Sequence, residues 1–245
     1  MKVSGSAKMT RSHCIDWQGA ILSNNATKGE RMTAETAAVL ADTVAADLRA
    51  SIVDQTDAPG STITESAVAL RFGVARPTAR TAIDRLVAEG LLRREPHHAA
   101  RVPVLTREDI TDLYDSRATV ESAAVASLAR SGTIPAEALS AHRAIQGMTE
   151  GDSFAQEDVS FHRALVNGQP SVRLGRMHAL LMGEIELCIG QVQSYSLLNP
   201  QEIAAQHQGI LAAVIAGDTT SAEQLTRSHI EYSRDRLLAH YDSTH

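Results

Sequence analysis

Residues 62–92 read TITESAVALRFGVARPTARTAIDRLVAEGLL. A short helix can begin after Thr62, with Thr64 as its N-cap and Glu65 in the first turn. It turns Ala67, Val68 and Phe72 inward and stops at Gly73. After Gly73-Val74-Ala75, Pro77 suits the first turn of a second helix, where its missing N–H would have no partner anyway. That helix carries Ala79, Ile83, Leu86 and Val87 on one face and ends near Gly90. Upstream, Ala37, Leu40, Val44, Leu48 and Ile52 recur at three- and four-residue spacing, the signature of a long amphipathic helix closed by Asp57-Ala58-Pro59-Gly60. Downstream, residues 91–95 and 101–105 are extended runs around a tip at 96–100, which predicts a hairpin. Helix, helix, turn, helix, hairpin is the plan of a winged helix-turn-helix, assigned to residues 31–105.

From residue 106 onward the chain reads as consecutive helices broken at 132–135, 147–152, 167–170, Asn199-Pro200 and Gly217-Asp218. This predicts a C-terminal all-α antiparallel bundle over 106–245, so the fold class is mainly α with a small β wing. Residues 1–30 lack sustained periodicity and read as a mobile tail, with at most a short helix around 17–22. The composition agrees: 245 residues are 43% hydrophobic but only 3% aromatic, too apolar for disorder and poor in strand formers. Cys14 and Cys188 stand far apart without CxxC spacing, which argues against a disulfide framework and for a reducing, cytoplasmic setting. No apolar run approaches the roughly 20 residues that cross a bilayer, so no membrane partner is expected.

The net charge of −6 excludes indiscriminate nucleic-acid binding but conceals a local reversal. Residues 66–101 hold seven arginines against Asp84, Glu89 and Glu95, a local charge of +4. Arg76 and Arg80 lie one turn apart at the start of the second helix, opposite its apolar stripe. A helix entering the major groove there brings arginine to guanine O6 and N7. Ser66, Thr78 and Thr81 are assigned to the same interface. Arg94, His97, His98 and Arg101 on the hairpin lie within reach of phosphate or the minor groove. On a solitary helix such arginines would read as solvated surface charge.

The run Ala58-Pro59-Gly60, Ile63-Thr64-Glu65, Phe72-Gly73-Val74-Ala75-Arg76, Arg80-Thr81-Ala82-Ile83, Leu86, Glu89-Gly90-Leu91-Leu92 resembles the GntR family of bacterial transcriptional regulators over about residues 35–104. The resemblance implies DNA contacts from Arg76, Arg80 and the wing tip, His97 to Ala99. The chain departs from the family at three points. Ala75-Arg76-Pro77-Thr78 stands where Ser-Arg-Thr-Pro is usual, Thr81 where Glu is usual, and Ala99 where the wing has Gly. The lost Ser is a lost N-cap and the shifted Pro a lost backbone donor, so operator sequence is not inherited from relatives.

In the bundle, Asp158 and His162 are four apart on one helix, with Phe161 and Leu165 anchoring that helix inward. His207 and His229 lie on the two following long helices, each flanked by apolar residues. Singly, each histidine reads as a core or surface residue. Together, one carboxylate and three imidazoles suit a divalent metal, zinc foremost, with nickel or manganese also admitted. The spacing resembles the FCD effector domain of the FadR-like branch of that family. Leu113-Tyr114-Asp115-Ser116-Arg117 with Val120-Glu121 is similar to its opening helix, and Gly168-Gln169-Pro170 stands where relatives often have Gly-Asn-Pro. That likeness implies a metal at Asp158, His162, His207 and His229, and a small carboxylate effector against it. It implies effector contacts from Arg117 and Gln169. Arg117 also reads as the i,i+4 ion-pair partner of Glu121.

The whole predicts a homodimeric, ligand-responsive regulator, a repressor, that binds a palindromic double-stranded operator because one such unit buries little surface. Two alternatives stay open from the residues alone. One is a metal-dependent enzyme with Glu184 or Glu186 as general base. The other is a DNA-binding protein whose metal is purely structural.

Overall fold

The computed structural model describes residues 34–244. The readings made for residues 1–30, including the short helix around 17–22, lie outside the described residues.

Helix α1 (Ala34–Val53) buries Val44, Leu48 and Ile52 completely. Strand β1 (Thr62–Ile63) leads into α2 (Glu65–Phe72), whose N-cap Thr64 accepts a hydrogen bond from the amide of Ala67. Gly73 stops α2 with φ +65°, a left-handed conformation that costs glycine nothing. Helix α3 (Arg76–Ala88) starts with Ala75 at the cap position, without a side-chain cap bond, and with Pro77 in its first turn. The apolar faces of α1, α2 and α3 meet with Leu91, Leu92, Ala100 and Val102 in one core.

The wing is smaller than the expected hairpin and differently paired. Strand β2 (Ala100–Arg101) is antiparallel to β1, with Thr62 opposite Arg101 and Ile63 opposite Ala100. The 91–95 arm contributes only Arg93, which exchanges both backbone bonds with Arg101 at 2.9 and 2.8 Å. Pro96 and Pro103 explain the brevity. Each lacks the N–H a longer ladder needs, so pairing is confined between them and β2 completes itself on residues 62–63.

Six helices follow: α4 (Arg107–Ser131), α5 (Ala136–Gln146), α6 (Ala155–Gly168), α7 (Val172–Ser194), α8 (Pro200–Ile215) and α9 (Thr219–Thr244). Their breaks coincide with the Gly, Pro and Asn clusters of the sequence. Thr106 with Asp109, and Asn199 with Glu202, form reciprocal capping boxes that fix the starts of α4 and α8. The faces of α4, α6, α8 and α9 turned into the bundle carry its polar interior.

Helix α7 joins the two halves. Leu187 is buried in the core of the N-terminal unit rather than in that of the bundle. On the same face, a Cβ at Gly183 would collide with the backbone of Glu89 and Leu91, and one at Gly190 with that of Val53. Glycine at 183 and 190 is therefore what lets α7 lie directly on the N-terminal unit. Gly183→Ala is expected to cost about 1–3 kcal/mol through forced separation of the two backbones. Gly209→Ala, whose Cβ would meet Leu225 at an ordinary 3.8 Å, is the control. Urea unfolding and proteolysis between residues 102 and 106 should show loss of docking only in the first.

Candidate metal centre and DNA-facing groove

Helix α6 holds Asp158 and His162 one turn apart because Phe161 and Leu165 are locked into the bundle on adjoining positions. His207 comes from α8 and His229 from α9, and all four side chains are buried. One ligand atom from each lies within 4.8 Å of the others. Nε2 of His162 is 3.1 Å from Nε2 of His229, and Nε2 of His207 is 3.2 Å from Asp158 Oδ1. Phe161 stacks on the His207 ring with centroids 3.7 Å apart, fixing its plane.

The outer nitrogens decide where the protons sit. Nδ1 of His229 lies 2.6 Å from the Gln206 carbonyl oxygen, which only accepts, so Nδ1 donates and Nε2 carries the lone pair. Nδ1 of His162 lies 2.6 Å from Glu121 Oε2, a contact too bent for a straight hydrogen bond but one that only a protonated Nδ1 tolerates. With both imidazoles neutral, two lone pairs face each other at 3.1 Å beside a carboxylate, an arrangement that a cation relieves. Asp158 Oδ1 and Nε2 of His207, though 3.2 Å apart and buried, make no well-aligned hydrogen bond. Unsatisfied acceptors converging in a dry interior are what a tetrahedral or open-sided divalent site requires. The residues present therefore fit a divalent metal.

The electrostatics point the same way. Burial opposes the charged form of Asp158, yet His162 and His207 hold its carboxyl well below the ordinary carboxylate range. Burial pushes His207 down to about 4 and His229 well below its ordinary value, so both are neutral, ligand-ready imidazoles near pH 7. For His162 burial is outweighed by Glu121 and Asp158, and its pKa is raised.

Next to the cluster, Arg117 is buried, with Nε donating to Glu121 Oε1 at 2.9 Å. The i,i+4 ion pair that the spacing allowed is present, and it is buried. Its second nitrogen group, Nη2, has no partner. Glu121 sits among three cationic or protonatable groups, Arg117, His162 and His178, the last at 3.0 Å. His178 was not singled out by the sequence reading, although it stands four before Met182 on the buried face of α7. Gln169 is engaged locally. Its amide donates to the carbonyls of Val166 and Ser171 and accepts from the Ser171 amide, so it is spent closing the turn after α6.

At the opposite end, a groove of about 350 Å³ runs between the start of α3 and the wing tip, lined by Glu65, Ser66, Arg76, Arg94, His97 and His98 among others. Arg76 is exposed and, among the described residues, has no ion-pair partner. Arg80 is also exposed but rests 3.7 Å from Glu65 and 3.8 Å from Asp84, partners it must exchange on meeting a base. Thr81 is exposed and donates to the Pro77 carbonyl. Thr78 is buried, two positions round the helix from Arg76 and in line with Ala82 and Leu86. Glu184 and Glu186 do not face the metal cluster. They accept from Arg93 and from Arg49 with Arg163, respectively.

Two outcomes follow from this geometry. On an operator selected from random DNA, Arg76→Ala should weaken binding by about 1–3 kcal/mol, while Thr78→Val should leave specificity unchanged, as read by fluorescence anisotropy. Stability of chelator-treated protein should fall as pH drops from 6.5 toward 4, because in that window the unfolded chain protonates at residue 207 and the folded chain does not. His229 adds to this loss, whereas the contribution of His162, with its raised pKa, is complete below pH 6.5 and is lost only as pH rises above it. In urea melts across that range His207→Gln should flatten the acid limb.

The model of bacterial regulatory proteins of the gntR family matches residues 40–102, and that of the FCD domain residues 112–232. The chain is 27% identical to the HTH-type transcriptional repressor GlaR of Escherichia coli, across 70% of this chain and 84% of that protein. It is 25% identical to the HTH-type transcriptional regulator YdhC of Bacillus subtilis, across 78% and 87%. A crystal structure described as a transcriptional regulator GntR from Rhodococcus sp. RHA1 superposes with a TM-score of 0.63 at 26% identity, covering 81% of this chain and 97% of that one. These matches are to regulators and not to enzymes, and no described helix is long and apolar enough to cross a membrane. The chain belongs to the GntR family of DNA-binding transcriptional regulators, with an FCD domain as its C-terminal half.

Proposed function

We propose that this regulator is a cytoplasmic, homodimeric repressor that binds a palindromic operator and is controlled by a small carboxylate docked at a metal in its bundle. Asp158, His162, His207 and His229 would hold the metal, zinc foremost. The observation that carries the reading is the convergence of one ligand atom from each of four buried side chains to within 4.8 Å of one another, with the outer imidazole nitrogens held by Glu121 and Gln206. When bound, a divalent cation supplies positive charge and coordination positions for a carboxylate oxygen. The chain's own part is to orient the imidazoles, exclude water and offer the unpartnered Nη2 of Arg117 as a donor to the anion. DNA contacts are assigned to Ser66, Arg76, Arg80, Thr81, His97 and His98. The repressor relative supports the direction of control. Effector binding then needs only to prefer one arrangement of the two recognition helices over the other.

A purely structural metal is favoured by one observation, the Arg117–Glu121 pair that already neutralises the guanidinium. Metal content and thermal melts separate the readings. One equivalent of metal per chain is expected, lost in His162→Ala. Metal at a hundredfold over its Kd should raise the melting temperature on the order of 5–10 °C. A further, metal-dependent rise with a few small carboxylates supports the effector reading, and a rise with metal alone supports the structural one. Absence of metal after purification and on titration overturns both.

A further inference from the structure

Helix α6 carries a second functional side chain immediately after His162. Arg163 donates through Nη2 to Glu186 Oε1 at 2.5 Å. The other oxygen, Oε2, accepts from Arg49 Nη1 at 2.5 Å, and Arg49 also pairs with Glu89. Glu89 is the C-terminal cap residue of the recognition helix α3. Four charges thus form an unbroken path from a metal-ligating helix to the end of the helix that reads DNA.

Three features set this path apart from ordinary surface ion pairing. Its centre is buried: the Glu186 side chain is 3% exposed, whereas Arg49, Arg163 and Glu89 are 28%, 46% and 38% exposed. Each oxygen of that buried carboxylate has a guanidinium beside it, and removing either one leaves an oxygen without its partner. Second, the path crosses the joint between the two halves beside Gly183, where α7 rests on the backbone of Glu89 and Leu91. The backbone contact leaves no room for a side chain, and the charged groups lie beside it. Third, Arg49 and Arg163 line two cavities, of about 230 and 370 Å³, so neither guanidinium is packed on all sides. His178, which holds Glu121 beside the metal cluster, lines the smaller one.

We propose that Glu186 is a positioning residue for DNA binding: it ties α6 to α3 through Arg163 and Arg49, and a shift of α6 at the metal site moves the recognition helix by way of this carboxylate. The link to metal rests on the function proposed above, whereas the mechanical link between α6 and α3 does not. It predicts that a change confined to Arg163 is felt at the far end of the path, and that Arg163 and Glu186 act as one unit rather than two.

Amide hydrogen exchange of the full-length protein tests it without any operator. Residues 89–92 are followed in wild type, Arg163→Gln, Arg163→Lys, Glu186→Gln and the Arg163→Gln/Glu186→Gln double variant, with and without added Zn²⁺. Arg163→Gln is expected to speed exchange at 89–92 at least threefold while α9 remains protected. Arg163→Lys should restore most of the protection, and the double variant should exchange no faster than Glu186→Gln alone. In wild type, Zn²⁺ should slow exchange both around His162 and at 89–92, and in Glu186→Gln only around His162. Unchanged exchange at 89–92 in Arg163→Gln, or additive effects in the double variant, would overturn the proposal. Failure of the metal reading is seen separately, as no response to Zn²⁺ around His162, with the comparison among variants still deciding the mechanical link.

Discussion

Burying Asp158, Glu121 and Arg117 with the imidazoles of His162, His178, His207 and His229 inside one helical bundle is the constraint on which this molecule turns. Desolvating charged groups costs several kcal/mol each unless every charge finds its opposite in good geometry. The bundle meets that cost by placing Glu121 between Arg117, His162 and His178, and Asp158 between His162 and His207. One ligand atom each from Asp158, His162, His207 and His229 comes within 4.8 Å of the others. Four helices must hold their register for that to happen, and the capping boxes at the starts of α4 and α8 with the stacked Phe161 and His207 rings serve that end.

The same economy governs the joint between the halves. Helix α7 approaches the N-terminal unit through glycines, with Leu187 between them as the apolar anchor, so close contact needs little side-chain surface. Charged groups then surround the contact instead of filling it, and Arg93 with Glu184 adds a further bond between the wing and α7. Such a joint favours one arrangement while leaving its side chains room to trade partners. A regulator whose two halves must communicate needs that combination.

Much of this was legible in the sequence, because its signals were local. Thr64, Gly73 and Pro77 act within a turn of themselves, so α2 and α3 could be placed from residues 62–92 alone. Asp158 and His162 share a face by spacing, and the breakers between helices in the bundle mark their ends. What was missed depended on partners distant in the chain. Strand β2 prefers residues 62–63 to its neighbour in sequence, a choice made by two prolines and by packing beyond them. Thr78 turned inward because α3 begins at Arg76, which fixes the phase of every later residue. Gln169 closes its own turn, a role the Gly-Asn-Pro comparison did not contain. His178, Gln206 and the Arg163–Glu186–Arg49 path carry no spacing signature, since each touches a helix many residues away.

The central claim is that Asp158, His162, His207 and His229 present three imidazole nitrogens and one carboxylate oxygen to a single ion. X-ray absorption at the zinc edge of the loaded protein tests it most directly. The account predicts a first shell of nitrogen and oxygen with the outer-shell scattering of three imidazoles, reduced to two in His229→Gln. A shell of oxygens without imidazole scattering, or a spectrum unaltered by that substitution, would contradict it.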